Sequence, residues 1–119
     1  MPEKEATYNE SQIAERLRAL SGWYYEDGWI RRVYKTDGWP TTLMLVNAIG
    51  YLAEAAYHHP DLAVTWARVT VKLMTHSAGG ITDKDLELAR RIEDVVLWRP
   101  AGGALTGTPS KFVRGGDPR

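Results

Sequence analysis

Every histidine of the chain falls inside one spaced pattern: Glu54, three residues, His58-His59-Pro60, then Trp66, His76 and Asp85. Histidine is the side chain whose ordinary pKa lies nearest neutrality, so imidazoles gathered beside carboxylates point to proton transfer. The stretches 1–57 and 77–119 hold none. Glu54 and His58 stand four apart, which puts them on one face of a helix. Pro60 forces that helix to end by His59, where two adjacent imidazoles can diverge around a pocket. His76 is expected on the polar face of a strand or just past its end, and Asp85 in the first turn of a later helix. Several element ends then converge on one concave site, as they do in many catalytic centres.

The elements that must do this positioning follow from periodicity and turn chemistry. Ser11 to Leu20 reads as a short amphipathic helix with Ile13, Leu17 and Leu20 inward and Asn9 or Ser11 as its cap. Trp23 to Tyr34 reads as a strand pair turning at Glu26-Asp27-Gly28, since Asp-Gly is a strong hairpin signal. Pro40 suits the first turn of a helix over 41–57, with Leu45, Ile49, Leu52 and Ala56 as its stripe. Val69, Val71 and Leu73 alternate with Thr70, Lys72 and Met74, and a break near Ala63 to Trp66 divides 62–76 into two strands. Thr82 with Asp85 three residues on forms a capping-box pattern for a last helix, whose stripe is Leu88, Ala89, Ile92, Val95 and Val96. The order α-β-β-α-β-β-α predicts an α+β domain, an antiparallel four-stranded sheet with helices packed on one face. Residues 1–99 make that domain. Residues 100–119 form a Gly/Pro-rich extension without regular helix, for which Trp98, Leu105 and Phe112 are the expected anchors.

Composition narrows the function classes. At 119 residues the chain supports one core. Its 15 basic and 15 acidic residues cancel, which gives no general attraction to nucleic acid or an anionic membrane. Without cysteine there is no disulfide, thiol nucleophile or Cys-ligated metal. The polar start and the short aliphatic run Leu43 to Val46 predict neither a signal peptide nor a membrane span, and the expected compartment is the cytoplasm.

The combination of Glu54, His58-His59-Pro60, Trp66, His76 and Asp85 resembles the pterin-4a-carbinolamine dehydratase family, also called 4a-hydroxytetrahydrobiopterin dehydratase. The resemblance extends through Gly22-Trp23, Thr75-His76, Gly80-Ile81-Thr82 and Leu88-Ala89, over roughly residues 10–97. It implies removal of water from a 4a-hydroxytetrahydropterin to give quinonoid dihydropterin, in tetrahydrobiopterin recycling, with no cofactor and no metal. It also implies catalytic roles for His58, His59 and His76. Of these, His58 and His76 would be the acid and base, in an order that spacing leaves open, and His59 a pterin-binding group. Glu54, Asp85 and Trp66 would bind substrate or support the imidazoles. A homodimer or homotetramer is implied as well.

Plainer roles compete with these. Glu54 can be a solvated helix residue, Asp85 a helix cap, and Trp66 a packing residue. A zinc site is a rival reading, but adjacent histidines aim poorly at one ion and no H-x-x-x-H or H-E-x-x-H pattern occurs. A second rival is a non-catalytic binding or assembly factor on the same fold, since the family also includes a transcription-factor dimerisation cofactor and relatives that assemble RuBisCO. Retention of all three histidines favours the enzyme.

Overall fold

The structure is a computed structural model and describes residues 5–118. Helix α1, Glu10–Leu17, opens on a capping box. Asn9 accepts a bond from the Gln12 backbone N–H and its own N–H donates to the Gln12 side chain, both at 2.9 Å. The helix stops before Leu20 because residues 18 to 20 tighten into bonds reaching back three residues. Leu20 is still buried.

Strands β1, Tyr24–Glu26, and β2, Trp29–Thr36, follow as the expected hairpin. Asp27 and Gly28 both have positive φ, 48° and 86°, the turn geometry whose twist matches antiparallel strands. Helix α2, Trp39–Ala56, starts after Gly38 with Pro40 in its first turn. It ends on Tyr57 in the left-handed conformation, and the His58 N–H then donates back to the Ala53 carbonyl at 3.1 Å. Strands β3, Asp61–Thr65, and β4, Arg68–Leu73, form the second hairpin, and helix α3, Asp83–Val96, starts at Thr82.

The antiparallel sheet runs β1-β2-β4-β3. On its core face Ile30, Arg32 and Tyr34 stand opposite Leu73, Val71 and Val69. Leu45 and Ile49 of α2 and Leu88, Ala89 and Ile92 of α3 complete the apolar cluster over that face. At about 1.5–3 kcal/mol for each fully buried large aliphatic side chain, this layer is the main stabilising contribution.

The sheet departs from expectation in having a fifth strand. The extension supplies β5, Val113–Gly116, which pairs antiparallel with Val33 to Thr36. Because β4 occupies the opposite edge of those β2 residues, β5 must share with β1 the remaining edge. The anchors also differ. Trp98 and Leu105 are exposed and Phe112 is half-buried, whereas Val113 is the buried residue. Phe112 does pack against the core beside Val113, whereas Trp98 and Leu105 do not, because the rest of the anchoring is by ladder hydrogen bonds, which any residue type can supply.

A polar cluster crosses the core between sheet and α3. Glu93 accepts from Arg32 through both carboxylate oxygens at 2.9 Å, from Tyr34 Oη at 2.7 Å and from Trp23 Nε1 at 3.0 Å. Burial would push the Glu93 carboxyl up, but the hydrogen bonds from Arg32 and Tyr34 and the guanidinium charge outweigh it and hold it below its ordinary value. Burial and the neighbouring Glu93 keep the Tyr34 phenol far above its usual range. Two glycines make room for Arg32: a Cβ on Gly22 would lie 2.1 Å from Nη1, and one on Gly115 would lie 2.5 Å from Nη2. The extension is thereby fitted to the buried ion pair.

Candidate active site

The local chain explains how each imidazole is presented. Termination of α2 at Tyr57 turns the backbone so that His58 and His59 leave the helix in different directions. His58 Nε2 lies 2.6 Å from Asp85 Oδ1, and the Asp85 side chain is completely buried. The second Asp85 oxygen accepts the Thr75 hydroxyl at 2.8 Å and the Thr82 N–H at 2.9 Å. Thr75 and Thr82 hydroxyls also meet at 2.8 Å. Asp85 is therefore a helix-capping residue and an imidazole partner at once, and the two proposed roles are not alternatives.

His59 turns to the surface, where its Nε2 meets Glu54 Oε1 at 2.7 Å. Both side chains are more than half exposed. Glu54 thus pairs with His59, five residues on, and not with His58 on its own helix face. The left-handed turn at Tyr57 decides this by rotating His58 toward α3.

His76 lies just past β4, in the turn closed by the Thr75 to Gly80 backbone bridge. It is exposed and packs edge-on against Trp29, with ring centroids 5.5 Å apart. Its chain neighbour Thr75 holds Asp85, so His76 is one residue removed from the His58 network. The three histidines therefore have three different partners. Among the described residues no three His, Cys, Asp or Glu side chains converge as a metal-ligand set.

Trp66 is placed elsewhere. It is exposed in the β3–β4 turn, its carbonyl accepts the Thr42 hydroxyl at 2.9 Å, and its ring faces Gly38 at the start of α2. His58 lies past the opposite end of that helix, whose 18 residues span about 27 Å at 1.5 Å rise per residue. Trp66 does not join the histidines within one chain.

An open groove of about 1120 Å³ runs between α2 and α3 and includes His58. Ala55, Ala56, Leu86 and Leu88 supply apolar wall, with Lys84 and Arg91 at polar positions. Its size exceeds what a bicyclic ligand needs. The chemistry it offers is an imidazole oriented by a buried carboxylate, the arrangement used for acid–base catalysis.

The model of the pterin 4 alpha carbinolamine dehydratase family matches residues 6–95. This chain belongs to that family. A relative from Aquifex aeolicus (strain VF5), named "Putative pterin-4-alpha-carbinolamine dehydratase", is 46% identical over 88 residues, 74% of this chain and 89% of the relative. One of the same name from Roseiflexus castenholzii is 41% identical over 91 residues, 76% of this chain and 98% of the relative. The solved structure of a transcriptional coactivator/pterin dehydratase from Brucella melitensis superposes with a TM-score of 0.69 at 34% identity, covering 74% of this chain and 96% of that one. Membership supports a pterin carbinolamine dehydratase, and the α+β antiparallel architecture is the one that the order of elements predicted. The matched segment stops before β5, so the fifth strand lies outside it.

Trp29 is the site neighbour that the sequence did not single out. The only available signal was its place as the first strand residue after the Asp27-Gly28 turn.

Proposed function

We propose that this protein dehydrates a 4a-hydroxytetrahydropterin to quinonoid dihydropterin and water, as in tetrahydrobiopterin recycling. The observation that carries the proposal is the His58–Asp85 pair, a partly accessible imidazole held by a buried carboxylate. With Nε2 donating to Asp85, the neutral ring keeps Nδ1 as the nitrogen able to accept a proton. One imidazole protonates the departing 4a-hydroxyl, which leaves as water. The other takes a proton from the ring nitrogen, and the electron pair left behind completes the C=N bond. His58 and His76 are our candidates for these two transfers. His59, paired with Glu54 at the surface, binds pterin. The step requires no cofactor.

The test is direct. Purified protein should accelerate dehydration of a 4a-carbinolamine pterin. A wild-type rate no higher than the uncatalysed one, or His58→Ala and His76→Ala variants as fast as wild type, would refute the assignment.

A second reading has one specific support. The outer face of α2 exposes Leu43, Met44 and Tyr51, and edge strand β3 exposes Val64. Exposed apolar surface of this kind marks association sites. We take the partner to be another copy of this chain, giving a homodimer or homotetramer. A non-catalytic docking role for the same face is the alternative. Sedimentation showing a monomer at micromolar concentration would remove the oligomer. Among the described residues no helix is long and apolar enough to cross a membrane, and we take the cytoplasm as the compartment.

A further inference from the structure

The three imidazoles differ in what fixes their rings. His58 and His59 each have a carboxylate, whereas the contact made by the His76 ring is with an indole. Trp29 occupies the first position of β2. Arg31, two residues on, stands opposite Lys72, which puts Trp29, Arg31 and Lys72 on the sheet face away from the core. On that face Lys72 Nζ lies over the Trp29 ring, 4.5 Å from its centroid. The half-buried indole therefore has a cation over its ring and the imidazole of His76 packed at a steep angle, with planes 77° apart.

We propose that Trp29 is a positioning residue for His76 and that Lys72 holds Trp29 in place. This rests on the dehydratase reading above. His76 follows the strand in an exposed turn, where backbone bonds fix the main chain but not the side chain. An exposed imidazole samples several rotamers, and a proton-transfer group must spend its time in the productive one. The aromatic contact supplies that restriction without a carboxylate, which on His58 occupies one ring nitrogen.

The test combines ring signals with kinetics. Because the chain has three histidines, imidazole-labelled protein gives few ring signals, and the His76 set is assigned with His76→Gln. In Trp29→Leu the His76 ring protons should lose their aromatic ring-current shift. Its kcat should fall by about tenfold, inside the roughly hundredfold that a 1 Å misplacement costs, with KM nearly unchanged. Trp29→Phe should restore most of kcat, and Lys72→Met should lower kcat by less than Trp29→Leu. If Trp29→Leu does not fold, as judged by thermal unfolding, the Phe and Lys72 variants carry the test. Loss of the ring-current shift without loss of kcat would overturn the proposal, as would a rise in KM alone. An unchanged His76 signal in Trp29→Leu would overturn the contact itself. Wild-type protein without dehydratase activity would instead refute the functional reading, leaving the ring signals to report on the contact alone.

Discussion

Two imidazole–carboxylate pairs sit side by side in this chain and have nearly equal lengths, 2.6 Å for His58–Asp85 and 2.7 Å for His59–Glu54. Their surroundings differ. The His58 and Asp85 side chains are 13% and 0% exposed, against 54% and 75% for His59 and Glu54. An exposed pair is screened by water and salt and stabilises by about 0–1 kcal/mol. A buried pair keeps its geometry, because the carboxylate has further hydrogen bonds and no water to exchange with. Equal distances therefore do not mean equal function. The inner pair is built to orient a ring, the outer pair to stay adjustable at the surface.

The comparison is broken most readily at His58. His58→Ala should lower kcat by about 10²–10⁴-fold, the usual contribution of a general acid or base, while His59→Ala should act mainly on KM. Steady-state assays on the two variants decide this, and equal kcat losses would erase the distinction. Asp85→Ala should unfold more easily by about 3 kcal/mol in urea titration, because it strands the Thr82 N–H in the interior and removes the carboxylate that accepts from the Thr75 hydroxyl and faces His58. Asp85→Asn should recover part of this stability but less of the activity.

A third carboxylate sharpens the role of burial without any imidazole. Glu93, held by Arg32, Tyr34 and Trp23, titrates below its ordinary value of 4.5 in the folded protein. A depressed carboxylate stabilises fully above its unfolded pKa and progressively less as pH falls through the folded one. Acid unfolding below about pH 4.5 should therefore be shallower in Glu93→Gln, which also loses stability at pH 7. Parallel acid limbs would contradict the buried ion pair. Smaller effects lie at the surface. Tyr57→Gly should stabilise by up to about 1 kcal/mol, since Tyr57 holds a left-handed φ of 53° that glycine adopts freely. Glu54→Gln should change thermal stability by less than about 1 kcal/mol, the ceiling for an exposed pair. A larger loss would show that the outer pair is not the weak one.

The asymmetry between the pairs was only partly legible in the residues. The spacing put Glu54 and His58 on one helix face, and that much is geometry of an ideal helix. The chain instead leaves the helix at Tyr57, and the resulting turn exchanges the partners. Trp66 shows the same limit: it stands near the histidines in sequence but at the far end of α2. The core stripes Leu45 and Ile49, and Leu88, Ala89 and Ile92, were readable because burial repeats with the helical period. Glu93 breaks that rule, since a charged residue can face inward once a bidentate arginine comes from another element.

By itself the sequence determined the α+β order, the first hairpin, the capping box at Thr82 and the set of imidazoles, because each depends on residues a few positions apart. The second hairpin turns at Trp66-Ala67, so Ala63 to Thr65, where a break was expected, belong to β3. Tertiary structure alone decided which carboxylate meets which histidine, that Trp29 meets His76, and that the extension adds a strand beside Arg32. Those contacts join residues distant along the chain, and local propensity carries no information about pairings made only after the elements pack.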